Sequence, residues 1–190
     1  LIMIVACSKV PVEELKGGIF LSENLSSVEY DDVKVEDSKG NTVFQDDFSS
    51  LKSEWGKNKE WEIINGVAKL DGLKKSDSRL AIYSKEWKAS TITIKGKKVL
   101  GNDGLYLGFS AKDKNSYYEF IVGGFGNTRT ILKKSGVDGG VVAECKESDF
   151  EPLPTDQVVE LKVELKGNKI RCYVDNKLLI SYKINENNKS

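Results

Sequence analysis

The chain has 190 residues, with 29 lysines and arginines against 29 acidic residues, and no histidine. A net charge of zero argues against a general polyanion binder, whose affinity comes from neutralising phosphates, and no nucleic-acid signature is present. Without histidine, Ser-His-Asp and Cys-His nucleophiles, His-ligated zinc and histidine general acids are excluded.

The chain falls into an N-terminal segment, 1–16, a strand-rich body, 17–184, and a polar tail, 185–190. The first seven residues are apolar but far too short to span a bilayer. Ile4-Val5-Ala6-Cys7 reads in two ways. As a lipoprotein processing box it makes Cys7 the lipidated residue and the protein an exported, lipid-anchored one, although no Met start or basic stretch precedes it. As an edge strand it is part of the fold.

Gly17-Gly18 opens the first clear strand, Ile19-Phe20-Leu21-Ser22. Residues 26–36 alternate with a kink expected at Asp31-Asp32, and Gly40-Asn41 then turns the chain into Val43-Phe44. Trp61-Glu62-Ile63-Ile64, Asn65-Gly66 and Val67-Ala68-Lys69-Leu70 spell strand, two-residue turn, strand. Further strands are expected over 79–83, 87–99 and 104–111. The clearest runs over 159–166, with Val159, Leu161, Val163 and Leu165 on one face and charges on the other. Gly167-Asn168 and Asp175-Asn176 turn the chain through two more strands.

Between these lies YYEFIVGGFGNTR, residues 117–129. Tyr118, Phe120 and Val122 share one face of a strand; Tyr117, Glu119 and Ile121 share the other. The strand then breaks at Gly123, Gly124 and Gly126, with Phe125 among them. Two readings stay open for Phe125: a glycine bulge whose ring packs inward, or an aromatic platform for a ligand.

Of the three cysteines, Cys7, Cys145 and Cys172, none makes a CxxC pair, so no zinc or redox motif is present. Cys172 alternates with Ile170 and Val174 and reads as a buried free thiol. Alternation with period two, frequent turns and no long helical period predict an all-β, two-sheet antiparallel sandwich.

The succession of segments 17–35, 44–50, 61–72, 105–129 and 160–179 resembles the concanavalin-A-like jelly-roll modules attached to bacterial glycoside hydrolases. The resemblance is to those of α-L-arabinofuranosidases and fructan-degrading enzymes in particular. It implies a jelly-roll sandwich, mostly non-catalytic, that holds a partner enzyme near a polysaccharide. Many relatives carry tryptophan where Glu119, Phe120 and Phe125 stand here. These 190 residues include no catalytic barrel, so arabinofuranosidase activity is not carried over to them.

A neutral sugar offers apolar C–H faces and hydroxyl edges, and so calls for aromatic rings with fixed planar polar groups. The candidate rings are Phe125, Tyr118 and Trp61; the candidate polar partners are Asn127, Arg129, Arg79 and Glu119. Trp55, Trp61 and Trp87 read first as core, with Trp61 the most open because it precedes the Asn65-Gly66 hairpin. Solvated strand arginine and a structural ion pair compete with a ligand role for Arg129 and Arg79. No organic cofactor is called for. A structural calcium ion is expected at Asp46 and Asp47, or at Asp31-Asp32, against the reading of exposed turn acids. A retaining glycosidase needs two carboxyls roughly 5–5.5 Å apart, and no ExDxE run, which would set neighbouring carboxylates on one strand face, is present. Glu119 meeting a carboxylate across strands keeps a glycoside hydrolase open as the alternative. A structural sandwich of a surface lipoprotein is the third reading. The expectation is an extracytoplasmic module for a neutral glycan, with a catalytic glycoside hydrolase as its partner.

Overall fold

The computed structural model describes residues 15–74, 78–137 and 139–184. The lipoprotein box with Cys7 and the polar tail lie outside them. Fourteen strands, numbered in chain order, form two antiparallel sheets among these residues. The first contains β1 (Gly18–Ser22), β6 (Leu80–Ile82), β8 (Leu105–Asp113), β9 (Ser116–Gly123), β10 (Arg129–Lys134) and β11 (Gly140–Glu144). Its order is β11-β10-β9-β8-β1-β6.

The second contains β2 (Ser26–Glu36), β3 (Thr42–Asp46), β4 (Trp61–Ile64), β5 (Val67–Asp71) and β7 (Thr91–Gly101). It is completed by β12 (Val158–Lys166), β13 (Lys169–Val174) and β14 (Lys177–Lys183). Its order is β14-β13-β12-β7-β2-β5-β4, with β3 also paired to β2. The expected all-β sandwich is what this sequence forms.

Local chemistry accounts for the joints. Asn65 and Gly66 both take positive φ, 52° and 75°, as the turn that matches strand twist requires, and Ile64 pairs Val67. Asp31-Asp32 is the expected kink. Asp32 sits at φ 50° and the register of β2 on β7 shifts between Asp31 and Lys34. The bend lets the first half of β2 pair with β5 and the second with β3.

The inward faces interdigitate as alternation dictates. Leu105, Leu107, Phe109 and Phe120 from the first sheet meet Val35, Ile92, Ile94, Leu161 and Val163 from the second, all fully buried. Each such side chain stabilises the fold by about 1.5–3 kcal/mol. Cys172 is a buried free thiol, as read from its alternation, and burial pushes its ionisation far above the ordinary thiol range.

Two expected site rings also belong to this core, and both are corrections. Trp61 is 7% exposed and packs on Tyr30, ring centroids 6.0 Å apart, because β4 turns it inward under the hairpin. Tyr118 stacks on Phe109 at 5.8 Å, since the inward face of β9 leaves its ring no other place.

The outer face of the second sheet is the solvated one. Glu29 sits between Lys97, at 2.6 Å, and Lys69, at 3.7 Å, and Lys162 meets Glu164 at 3.5 Å. Exposed pairs of this kind contribute about 0–1 kcal/mol each and favour solubility more than fold.

Candidate functional site

The first sheet breaks the alternation rule on its outer face. Glu119 and Ile121 point away from the core, yet each is 4% exposed. They are covered because they floor a cleft of about 540 Å³ on that face. Ser22 and Tyr106 extend the floor across β1 and β8, and Ile131 and Lys133 extend it across β10. Asn24, Asp103, Phe125 and Gly126 close one end; Arg79 and Val141 stand on the walls.

The floor follows from register. Glu119 pairs Gly108 on one side and Lys133 on the other. Gly108 has no side chain to fill the space, and the Phe20 ring lies over it. A Cβ there would meet that ring at 2.1 Å. On this face Ser22 Oγ donates to Glu119 Oε1 at 3.1 Å. Tyr30 reaches through from the second sheet: its hydroxyl donates to the Ser22 carbonyl, 2.9 Å, and accepts from the Tyr106 amide, 2.7 Å. That buried hydroxyl fixes the two strands whose side chains make the floor.

Arg79 is held flat. Its guanidinium carbon lies 4.4 Å from the Phe20 ring centroid and 4.5 Å from that of Tyr117. One nitrogen donates to the Tyr117 hydroxyl, 2.7 Å, and another to the Lys114 carbonyl, 3.1 Å. Burial works against this charge, but the bond to Tyr117 and the nearby Glu119 outweigh it and hold the group above the ordinary arginine range.

The expected glycine break is a tight turn in which Gly123, Phe125, Gly126 and Asn127 all take positive φ. A phenylalanine in that region is costly and is fixed by its surroundings. Thr128 Oγ1 donates to the Phe125 carbonyl at 2.7 Å, and the Phe125 ring stands 54% exposed. Arg129 lies against the ring, guanidinium carbon 4.7 Å from its centroid. Glu144 holds Arg129 in a two-pronged pair, Nε to Oε1 at 2.7 Å and Nη2 to Oε2 at 2.6 Å. The bond from Arg129 keeps the Glu144 carboxyl below the ordinary glutamate range. Of the two readings of Phe125, the inward-packed ring is therefore not the geometry found; the ring is exposed.

Phe125, Arg79 and Glu119 thus converge on one cleft, with Arg129 bracing Phe125 from behind. Asn127 does not join them. Its amide clamps the backbone of Leu153, Nδ2 to the carbonyl at 2.9 Å and Oδ1 from the amide at 2.8 Å. Ser22, Asn24, Asp103, Tyr106 and Lys133 also line the cleft and were missed. The signal for Tyr106 is its outward place between Leu105 and Leu107; Asp103, in Asn102-Asp103-Gly104, carries no sequence signal beyond that of a turn. The Tyr106 hydroxyl is held far above the ordinary tyrosine range by burial first and then by the Asp103 carboxylate, so it stays a neutral donor.

The calcium expectation is corrected. Asp46 Oδ1 accepts from the Phe48 amide at 3.0 Å and Oδ2 from Trp55 Nε1 at 2.7 Å, so both oxygens serve the core. Asp47 accepts from the Ser49 amide at 3.0 Å, and Asp32 pairs with Lys95 at 2.6 Å. Among the described residues no three of His, Cys, Asp and Glu gather in a group that could hold a metal ion. Nor, among them, is any helix long and apolar enough to cross a membrane.

With that geometry in place, comparison with known proteins is informative. The chain is similar to an extracellular exo-alpha-L-arabinofuranosidase of Streptomyces chartreusis. Identity is 26% over 163 residues, which is 85% of this chain and 19% of that protein. The chain therefore spans about a fifth of that relative. The resemblance read from the strand segments meets here a relative of the kind it named. Among solved structures, the carbohydrate-binding module CBM66 from Bacillus subtilis matches with a TM-score of 0.34 and 13% identity, over 89% of this chain and 67% of that one. No family model matches the chain.

Proposed function

We propose that the chain is a non-catalytic carbohydrate-binding module that takes a neutral glycan in the cleft of the first sheet. One observation carries this reading: an exposed Phe125 ring stands at the end of a cleft whose floor sets the buried polar groups of Glu119 and Ser22 beside Ile121 and Ile131. The ring offers a face for sugar C–H groups, and Glu119, Ser22, Tyr106 and Asn24 offer acceptors and donors for hydroxyls. Charges in the cleft are paired in kind, Glu119 and Asp103 against Arg79 and Lys133, which suits a ligand without net charge. The likeness to an extracellular arabinofuranosidase supports an extracytoplasmic module attached to a glycoside hydrolase that degrades the same glycan.

Hydrolysis by this domain itself has weaker support. The ladder neighbours of Glu119 on its face are Gly108 and Lys133, neither a carboxylate. Retention on immobilised neutral plant and microbial polysaccharides, with released sugar measured in the same samples, tests the reading. Retention without release is expected, with dissociation constants of roughly micromolar to millimolar, about −8 to −4 kcal/mol. Release of sugar overturns it in favour of an enzyme.

A further inference from the structure

Asp103 lies in the β7–β8 turn, 6% exposed, and its carboxylate reaches two other loops. Oδ2 accepts from Asn24 Nδ2 at 2.7 Å, in the β1–β2 loop, and from the Tyr106 hydroxyl at 2.9 Å. Oδ1 accepts from the Gly126 amide at 2.5 Å, in the β9–β10 turn. Its own backbone is pinned too: Ser26 Oγ accepts from the Asp103 amide and donates to its carbonyl, both at 3.0 Å. Burying this side chain is tolerated because Asn24, Tyr106 and Gly126 each donate a hydrogen bond to its oxygens.

Each loop that Asp103 ties holds a large apolar residue beside the tied one. Leu25 follows Asn24 and Phe125 precedes Gly126. Both take positive φ, 50° and 55°, and both are 54% exposed. A non-glycine residue persists in that backbone region only where its neighbours over-determine it. Neither side chain is held by burial, so the hold is on the backbone next to it.

We propose that Asp103 is a positioning residue, whose carboxylate joins the Asn24 loop and the Phe125 turn into one rim and sets Phe125 for its ligand. The consequence for affinity rests on the glycan reading; the hold on Gly126 does not. Asp103→Asn keeps the shape and places an N–H₂ where donors converge.

Amide hydrogen exchange, followed by NMR without ligand, reads the hold directly. In Asp103→Asn, exchange at Gly126 accelerates about tenfold while Phe120 in the same strand pair is unchanged. Unchanged Gly126 exchange, or equal acceleration at both amides, overturns the proposal. Glycan retention then separates positioning from general stability. Asp103→Asn weakens wild-type retention about tenfold but adds nothing in a Phe125→Leu background, which keeps an apolar side chain and measurable retention. Equal losses in the two backgrounds overturn the route through Phe125. Should Asp103→Asn not fold, Ser26→Ala, which unpins the Asp103 backbone and lines no part of the cleft, carries the exchange test: faster exchange at Gly126 with Phe120 unchanged supports the tie, and unchanged exchange at Gly126 contradicts it. If the wild-type protein retains no glycan, the glycan reading fails while the exchange result still decides the hold.

Discussion

Arg129 braces Phe125 from one side, with its guanidinium carbon 4.7 Å from the ring centroid and its fork on Glu144. The ring's other face is left for solvent or a sugar. Phe125→Ala removes that face without opening a cavity, because the side chain is more than half exposed. Glycan retention should be abolished while the thermal unfolding midpoint stays within about 2 °C. Calorimetry beside affinity electrophoresis checks it; a large fall in the midpoint would place the ring's role in folding instead.

The Glu144 brace gives the site a pH dependence with a definite sign. Arg129 holds the Glu144 carboxyl below the ordinary glutamate range, so it is ionised at neutral pH and remains so as pH falls to that range, about 4.3. The brace is present above the ordinary value and is lost as pH falls through the lowered one. Retention should therefore hold from neutral pH to about 4.3 and drop below it, with Glu144→Gln already weak at neutral pH. Binding isotherms of both proteins across that range are the check.

Gly108→Ala should destabilise the fold by about 1–3 kcal/mol, since its Cβ would sit 2.1 Å from the Phe20 ring. Moving that ring also displaces Arg79, which lies flat on it. Weaker retention should accompany the stability loss, and denaturant titration with binding measures both. An unchanged unfolding free energy would contradict the packing described.

Trp61→Ala separates the core from the cleft. Deleting the buried ring should cost about 3–5 kcal/mol. Trp61 belongs to the second sheet and lines no part of the cleft, so the folded fraction should keep its affinity. Lost affinity in the still-folded protein would return Trp61 to the site.

The sandwich was legible because alternation and turn chemistry act locally. Ile64 pairing Val67 across Asn65-Gly66 needs only four residues to specify it. The kink at Asp31-Asp32 was legible for the same reason. Phe125 could be singled out, since a large ring among glycines has no place in a period. Trp61 could not be placed by such reasoning, because whether a strand end is covered depends on Tyr30 of another strand. Asn127 looked like a sugar ligand, but its partner is the Leu153 backbone, 26 residues on. Asp103 is the converse case. Its donors come from Asn24, Tyr106 and Gly126, and only Tyr106 is near in sequence.

The most direct test of the glycan cleft is an NMR titration with an oligosaccharide taken from whichever polysaccharide retains the protein. Amide shifts should concentrate at Tyr106, Glu119, Gly126 and Lys133, with Lys97 and Glu164 on the opposite sheet unmoved. Shifts centred on the second sheet, or spread evenly over both, would contradict the assignment of the site.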